Sequence, residues 1–350
     1  MDLTVNCTAT ELIERYQAGD RNFRHLQING ADLRGVNLAG ADLSESIILF
    51  SDLTYACLTG VILTKAQLIG TSLQYAKLGK AILHKANLNK AILSGAYLVK
   101  AEFNEANLSG ATLKYANLRQ AKLNAINGCG ANFTGANLRS AKLQQADLRW
   151  ANLSQAKLSG AKLTEANLMH CQLSRAFLNG VDLSGMDLSG VDMSGARLNG
   201  ANLNQTNLSH AILHQAQLKT ASLIQANLYA ANLHHAFLVQ ADLSEAYLSR
   251  SSLNQADLSQ ATLISTNFVG ARLESANLTE ANLRCAYLWM AQMCDANLHR
   301  TNLKGAQLQG ANLDSVDLET ILKDAATKLP MEGDRQTDQQ NFRINQFGLA

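Results

Sequence analysis

Apolar residues recur along this chain with a period of five. Stepping by five from Phe23 to Leu318 gives 60 positions, of which 51 are leucine and only Gly128 has no side chain. A small residue, usually alanine, stands two places before most of them, often with Asn or Asp between. Residues 21–320 therefore read as the segment A-(N/D)-L-x-x, repeated without insertion.

Neither regular element buries such a pattern on one side. On an α-helix, residues five apart lie about 140° apart, so the leucines would spiral around the axis. On a flat strand, residues five apart point to opposite faces. A corner after each segment solves the problem, because the alanine and the leucine, two apart, then both point inward. The period predicts a coil with short straight sides, stacked on the next coil by backbone hydrogen bonds.

The pattern resembles the pentapeptide-repeat family, whose signature is A-(D/N)-L-x-x. The resemblance implies an all-β solenoid, a right-handed quadrilateral β-helix with four segments per coil. Sixty segments then make about 15 coils, and a spacing of about 4.8 Å per coil gives a length of roughly 70 Å. Leucines stacked on leucines fill the centre, so we expect no cofactor. At Gly128 we expect a bulge or kink, with Ile126 filling the missing leucine volume.

The two ends depart from the period. Residues 1–20 contain a predicted helical cap, since Thr8 and Glu11 fit a capping box and Gly19 fits a helix stop. The β-helix is predicted over 21–320. A second capping helix is predicted over 321–330, ended by Pro330. The polar residues 331–350 are predicted to be a disordered tail.

Composition and charge exclude several classes of protein. The net charge of +2 suggests neither a nucleic-acid nor an acidic partner. The six cysteines are scattered, without a zinc pattern or a C-x-x-C pair. No signal peptide and no apolar run long enough for a membrane span is seen, so a cytoplasmic location without membrane contact is predicted.

Residues 20 apart share one side of such a coil, which allows the surface to be sorted by face. The neutral face, through Ile28, Ile48 and Leu68, carries few charges and several outward aromatic residues. Aromatic enrichment with little charge is typical of an interface core. Its candidate protein-binding residues are Phe50, Trp150, Tyr229, Tyr247, Tyr287 and Trp289.

The basic face, through Leu38, Leu58 and Leu78, carries no acidic residue over 76–220. Its candidate basic stripe is Lys77, Lys80, Lys100, Arg119, Arg139, Lys157, Arg197 and Lys219. The tyrosine–histidine face, through Leu33, Leu53 and Leu73, has Tyr55 above Tyr75 and His214 above His234, which predicts ring ladders rather than a metal site. The remaining, mixed face carries both signs.

No catalytic or metal-binding motif is present, and a filled convex solenoid offers no cleft for converging groups. The first hypothesis is a non-enzymatic scaffold or regulator that binds an unknown protein along one face, similar to some cyanobacterial family members. The second is a DNA mimic that inhibits a type II topoisomerase, but the family members that do this are strongly acidic. The third is nucleic-acid binding through the basic stripe, which sparse aromatic residues on that face disfavour. Capped ends predict a monomer or an end-to-end homodimer.

Overall fold

The computed structural model describes residues 5–330 of the chain. The chain divides into two compact units, Met1–Asp182 (unit 1) and Leu183–Ala350 (unit 2). The five residues of each segment are numbered from the small residue, so that alanine is the first position and leucine the third. In each unit, the residue at a second position pairs in parallel with the residue 20 positions later, as Asn22 does with Asp42 and Asp187 with Asn207. Twenty residues in five-residue segments make four segments per coil. The predicted all-β, right-handed quadrilateral β-helix is confirmed.

Backbone hydrogen bonds hold successive coils together through the second and third positions of each segment. The Leu33 N–H donates to the Asp52 carbonyl at 2.8 Å, and the Asp52 N–H donates back to the Ala31 carbonyl at 2.8 Å. A further bond joins the corners, where the Gly35 N–H donates to the Thr54 carbonyl at 2.8 Å. Because the paired stretch on each side is still short, the ladder consists of isolated bridges rather than long strands.

The core of each unit is built from the first and third positions. Ala76 and Leu78 are both fully buried, and so are Phe103 and Phe268 in leucine positions. Each buried leucine contributes up to about 1.5–3 kcal/mol, an upper bound since the unfolded chain already buries some of this surface. The regular pattern of small and large apolar residues therefore supplies the main stabilisation of the fold.

A tight turn forms each corner at the fourth and fifth positions. The Ala41 N–H donates to the Leu38 carbonyl at 3.1 Å, and Gly40 between them has a φ of 69°. A positive φ at the third residue of a hydrogen-bonded four-residue turn is typical of type II turns. Every fifth residue from His25 to Ser315 has a φ between 51° and 72°. The left-handed conformation thus recurs at every corner, whether or not the residue is glycine.

The preference for Asn or Asp at the second position has a local cause. The Asp52 carboxylate accepts the Thr54 N–H at 2.9 Å, and the Asn37 side-chain oxygen accepts the Ala39 N–H at 3.1 Å. Such Asx turns satisfy a backbone donor at the corner that no coil neighbour reaches.

The N-terminal end of unit 1 is closed by a strand and a helix. Strand β1 (Val5–Asn6) pairs in parallel with β2 (Leu26–Gln27) and extends the first coil. Helix α1 (Ala9–Gln17) has Thr8 as its N-cap, which accepts the Glu11 N–H at 3.2 Å. The buried Leu12 lies on its inner side. No helix within residues 5–330 has the length and apolar character that a membrane span requires.

The predicted C-terminal helix over 321–330 is wrong. This segment continues the bridge pattern instead, with Leu322 paired to Asn302 and Lys328 paired to Gln307. Asp324 explains why, because its carboxylate accepts the N–H groups of Gly305, Ala326 and Thr327 at 3.0–3.1 Å and ties the segment to the coil before it. The predicted tail at 331–350 lies outside the described residues.

The predicted bulge at Gly128 is also wrong. Its N–H donates to the Asp147 carbonyl at 2.7 Å, and its carbonyl accepts the Ala131 N–H at 3.0 Å, so the ladder continues unbroken. The neighbouring Ile126 side chain fills the volume that a leucine at position 128 would occupy. Ile126 is buried, and its Cδ1 lies 3.5 Å from the place where a Gly128 Cβ would be.

Candidate binding faces

In unit 2, the neutral face brings four of the predicted aromatic residues together. Tyr247 and Tyr287 occupy the same second-position column, separated only by Asn267, to which both are paired. Tyr229 and Trp289 share the fourth-position column, three coils apart, which is about 14 Å at the spacing of stacked strands. The four side chains therefore lie on one side of neighbouring coils within residues 226–290.

These four side chains are half exposed, with 36%, 55%, 48% and 48% of Tyr229, Tyr247, Tyr287 and Trp289 open to solvent. An aromatic side chain offers about 150–250 Å², so together they expose on the order of 400 Å². Patches of about 300–600 Å² on soluble proteins are often functional. Arg250 is the one charged residue of this face between residues 226 and 290, and its Nη1 lies 3.3 Å from the Tyr229 hydroxyl. The result is an aromatic surface with little charge.

In unit 1, the neutral face does not form a comparable patch. Phe50 and Trp150 are both exposed, but they lie five coils apart, about 24 Å at the same spacing. The Phe50 ring covers Gly70, where an added Cβ would lie 2.6 Å from it. Trp150 stacks on His170 with ring centres 4.2 Å apart. The structure thus separates these two residues from each other and gives each a local ring contact.

The basic face of unit 1 gathers six of the predicted stripe residues over five successive coils. Lys80 and Lys100 are stacked at the fifth position, and Arg119 and Arg139 are stacked at the fourth. Lys77 and Lys157 share the second-position column, four coils apart. Unit 2 separately carries Arg197, which pairs with Gln217, and Lys219 on its own basic face.

Ion pairing distinguishes the basic face from the mixed face. On the mixed face of unit 1, Lys65 Nζ lies 3.2 Å from Glu45, and Lys122 Nζ lies 2.6 Å from Glu102. Within residues 5–330, by contrast, none of the six stripe residues of unit 1 forms an ion pair with a carboxylate. Their positive charge is not neutralised by neighbouring side chains.

The two units differ in net charge, which the whole-chain value conceals. Unit 1 contains 19 Lys and Arg against 13 Asp and Glu, a net charge of +6, and unit 2 contains 11 against 15, a net charge of −4. The two values add to the +2 of the whole chain. A charge-driven partner would therefore discriminate between the units.

The tyrosine–histidine face carries ring contacts. Tyr55 and Tyr75 stack with ring centres 5.2 Å apart, as do His214 and His234 at 5.6 Å. His235 lies 4.0 Å from the His234 ring, and partial desolvation, followed by the charges of His234 and His214, lowers the pKa of His235. Residues 5–330 contain no cluster of His, Cys, Asp or Glu arranged to hold a metal ion.

Some residues that belong to the two adjoining faces lie beside the basic face, because they stand next to its corners. Assigning each residue to one face misses them. Lys114 and Tyr115 end a segment of the tyrosine–histidine face, two or three residues before Asn117 of the basic face. Lys142 and Lys162 are stacked on the mixed face, two residues beyond the corner that ends the basic face. Grouping residues by corner would have revealed them from the sequence.

A filled four-sided β-helix with outward polar and aromatic columns is a repeat protein of the solenoid class. The sequence profile of the family described as "Pentapeptide repeats" matches the chain in twelve stretches, most of them overlapping, between residues 22 and 319. The chain therefore belongs to the pentapeptide repeat family, whose members are generally structural or binding proteins.

Several solved structures of this family are similar to the chain. One is HetL, involved in heterocyst differentiation regulation in the cyanobacterium Nostoc sp. strain PCC 7120, with 26% identity over 90% of this chain and 94% of HetL and a TM-score of 0.22. Another is QnrB1, a plasmid-mediated fluoroquinolone resistance protein, with 16% identity over 70% of this chain and 96% of that one and a TM-score of 0.26. Rfr23 from the cyanobacterium Cyanothece 51142 has 26% identity over 45% and 90%, with a TM-score of 0.18. No curated protein matches the sequence.

Proposed function

We propose that this protein is a non-enzymatic scaffold or regulator, and that the neutral face of unit 2 binds another protein. The observation that carries the proposal is the cluster of Tyr229, Tyr247, Tyr287 and Trp289 on neighbouring coils with little charge around them. The partner we expect presents an apolar, uncharged surface, because charged groups would lose hydration there without gaining a counter-charge.

The backbone under this face is suited to binding. Tyr247 and Tyr287 project from residues paired to the coils on both sides, so their positions are fixed before a partner arrives. A surface that is ordered beforehand loses little conformational entropy on association. Tyrosine and tryptophan are also the residues that most often dominate the binding energy of interfaces.

The filled core argues against catalysis. The alanine and leucine positions are closed by their own side chains, and two of the surface depressions within residues 5–330 border the repeats. One is lined by Cys7, Thr8 and Glu11 among others, and the other by Cys285, Lys304 and Asp324 among others. In the second, backbone N–H groups, that of Gly305 first, donate to the Asp324 carboxylate and lower its pKa, so it is a weak base beside Cys285.

Capture from the source cell's lysate tests the proposal. The wild type is compared with Tyr247→Ser/Tyr287→Ser/Trp289→Ser and with a control, Tyr55→Ser/Tyr75→Ser/Tyr115→Ser, which removes three rings of at least similar exposure from unit 1. We expect a protein held by the wild type and the control but lost from the unit 2 variant. A partner that all three retain would place binding elsewhere, and selective capture of topoisomerase subunits would favour the DNA-mimic hypothesis.

A further inference from the structure

Exposed tyrosines line one side of the basic face of unit 1. Tyr75 and Tyr115 sit at fifth positions, at the corner that leads into this face, and Tyr97 stands in its second-position column. They belong to three successive coils, about 4.8 Å apart each. Their exposed fractions are 52%, 49% and 68% for Tyr75, Tyr97 and Tyr115.

Each of these rings is held against a glycine. An added Cβ would lie 2.4 Å from the Tyr75 ring at Gly95 and 2.5 Å from the Tyr115 ring at Gly135. At Gly79 it would lie 3.0 Å from the Tyr97 ring. The missing side chains leave space for the rings to rest on the neighbouring coil, which limits their freedom without burying them.

Cations line the opposite side of the same face. Lys80 and Lys100 occupy its far corner, and Arg119 and Arg139 lie next to that corner on the following two coils. All four are exposed and have no carboxylate partner within residues 5–330. These four cations, one in each successive coil, form a row that runs parallel to the row of tyrosines.

Negative charge is nearly absent beside this face. The basic-face segments from 76 to 160 contain no Asp or Glu. Glu102, just beyond the far corner, is neutralised by Lys122 Nζ at 2.6 Å and lies 3.0 Å from His84 Nε2. Lysine and histidine contacts accordingly lower the pKa of this carboxyl, the Lys122 hydrogen bond most. The field over the face is therefore positive.

We propose that the basic face of unit 1, together with its flanking tyrosines, binds single-stranded nucleic acid. The row of cations would follow the phosphates, and Tyr97, Tyr115 and the Tyr55 ring, which Tyr75 supports from below, would stack on bases. Proteins that bind single strands without sequence preference combine these two features. A duplex fits less well, because its base faces are stacked inside and cannot reach the tyrosines. This site is independent of the protein-binding face, since it lies in the other unit.

Fluorescence anisotropy with a labelled oligothymidylate of about 15 nucleotides tests the proposal on the full chain. With about five phosphates neutralised and a slope of about −0.7 per phosphate, affinity should fall roughly 100-fold between 50 and 200 mM NaCl. An unlabelled duplex should compete poorly. No binding at 50 mM NaCl, or a flat salt response, would overturn the proposal.

Two pairs of variants separate the contributions of charge and stacking. Arg119→Glu/Arg139→Glu should abolish binding, whereas Arg284→Glu/Lys304→Glu should preserve it. The second pair is a matched control, because those residues are also exposed, also at the fourth position and also 20 apart, but in unit 2. Equal losses in both pairs would show that net charge alone drives binding, which contradicts a defined site.

Tyr75→Ala/Tyr97→Ala/Tyr115→Ala should weaken binding by at least about 10-fold, since the bases lose the rings on which they stack. The control Tyr229→Ala/Tyr247→Ala/Tyr287→Ala should bind the oligonucleotide like the wild type. That control also removes the proposed protein-binding surface. A failure of the protein-binding proposal can therefore be distinguished from a failure of the nucleic-acid proposal. Unchanged affinity in the first variant, or equal competition by duplex, would refute single-strand recognition in favour of general polyanion binding.

Discussion

The exchange of volume between Ile126 and Gly128 gives a sharp test of how the core is packed. The neighbouring coils carry Ala106 with Leu108 and Ala146 with Leu148 in the same places. The double variant Ile126→Ala/Gly128→Leu would restore that consensus. Each single change should lower the free energy of unfolding, because it leaves either a cavity or an overpacked core.

The structure sets the expected magnitudes. Ile126 is 1% exposed, so Ile126→Ala should lower the free energy of unfolding by about 2–5 kcal/mol through lost burial and a cavity. Gly128→Leu starts from a Cβ that would lie 3.0 Å from Leu148 Cδ2 and 3.3 Å from the Asp147 carbonyl, so overpacking should cost about 1–3 kcal/mol. The double variant should return to within about 1 kcal/mol of the wild type, because the leucine refills the space that the isoleucine leaves.

Urea unfolding followed by far-ultraviolet circular dichroism measures the four proteins of this cycle. Pairing Ile126→Ala with Leu43→Ala, four coils away in the same unit, provides a control in which the two costs should add. If the costs of Ile126→Ala and Gly128→Leu also simply added, the idea that Ile126 compensates for Gly128 would be refuted.

Three further outcomes are expected. Burial raises the pKa of Cys171 to about 12, so iodoacetamide should modify the exposed Cys285 in the folded protein and reach Cys171 only after unfolding. Thr220 is β-branched and has a φ of 55°, so Thr220→Gly should raise the melting temperature, by the equivalent of up to about 1 kcal/mol. The lowered pKa of His235 means that protonation opposes folding. This contribution to stability is present above the unfolded value of about 6.5 and is lost as the pH falls through the folded pKa. An NMR titration should show the pKa of His235 rising in His234→Ala, and an unchanged value would contradict the assigned cause.

Much of the fold could be predicted from the sequence, because one short rule is repeated. The alternation of Ala and Leu, such as Ala76 and Leu78, fixes which side chains point inward, and a period of five requires a corner. The N-terminal helix was also predictable, since Thr8 and Glu11 form a local signal.

The errors arose where contacts distant in sequence decide the conformation. Residues 321–330 have local helical character, but Leu322 and Asp324 gain backbone hydrogen bonds from a coil about 20 residues earlier. At Gly128 the interruption of the pattern suggested a break, whereas bonds to Asp147 maintain the register. Tertiary hydrogen bonding overrode the local preference in both places.

The binding faces were only partly predictable. The period of 20 correctly assigned Tyr247 and Tyr287 to one column. It could not show that Phe50 covers Gly70, or that the Tyr75 and Tyr115 rings rest on Gly95 and Gly135. Those relations depend on where side chains turn after leaving the corner, which a period alone does not specify.

Photo-crosslinking tests whether the neutral face of unit 2 binds a protein. A photoreactive phenylalanine analogue replaces Trp289 in one protein and Trp150 in another, since both positions are exposed and lie on the neutral face of their own unit. After irradiation in the source cell's lysate, we expect one discrete crosslinked protein from position 289 and none from position 150. Equal crosslinking at both positions, or a product at 150 alone, would contradict the assignment of the binding face to unit 2.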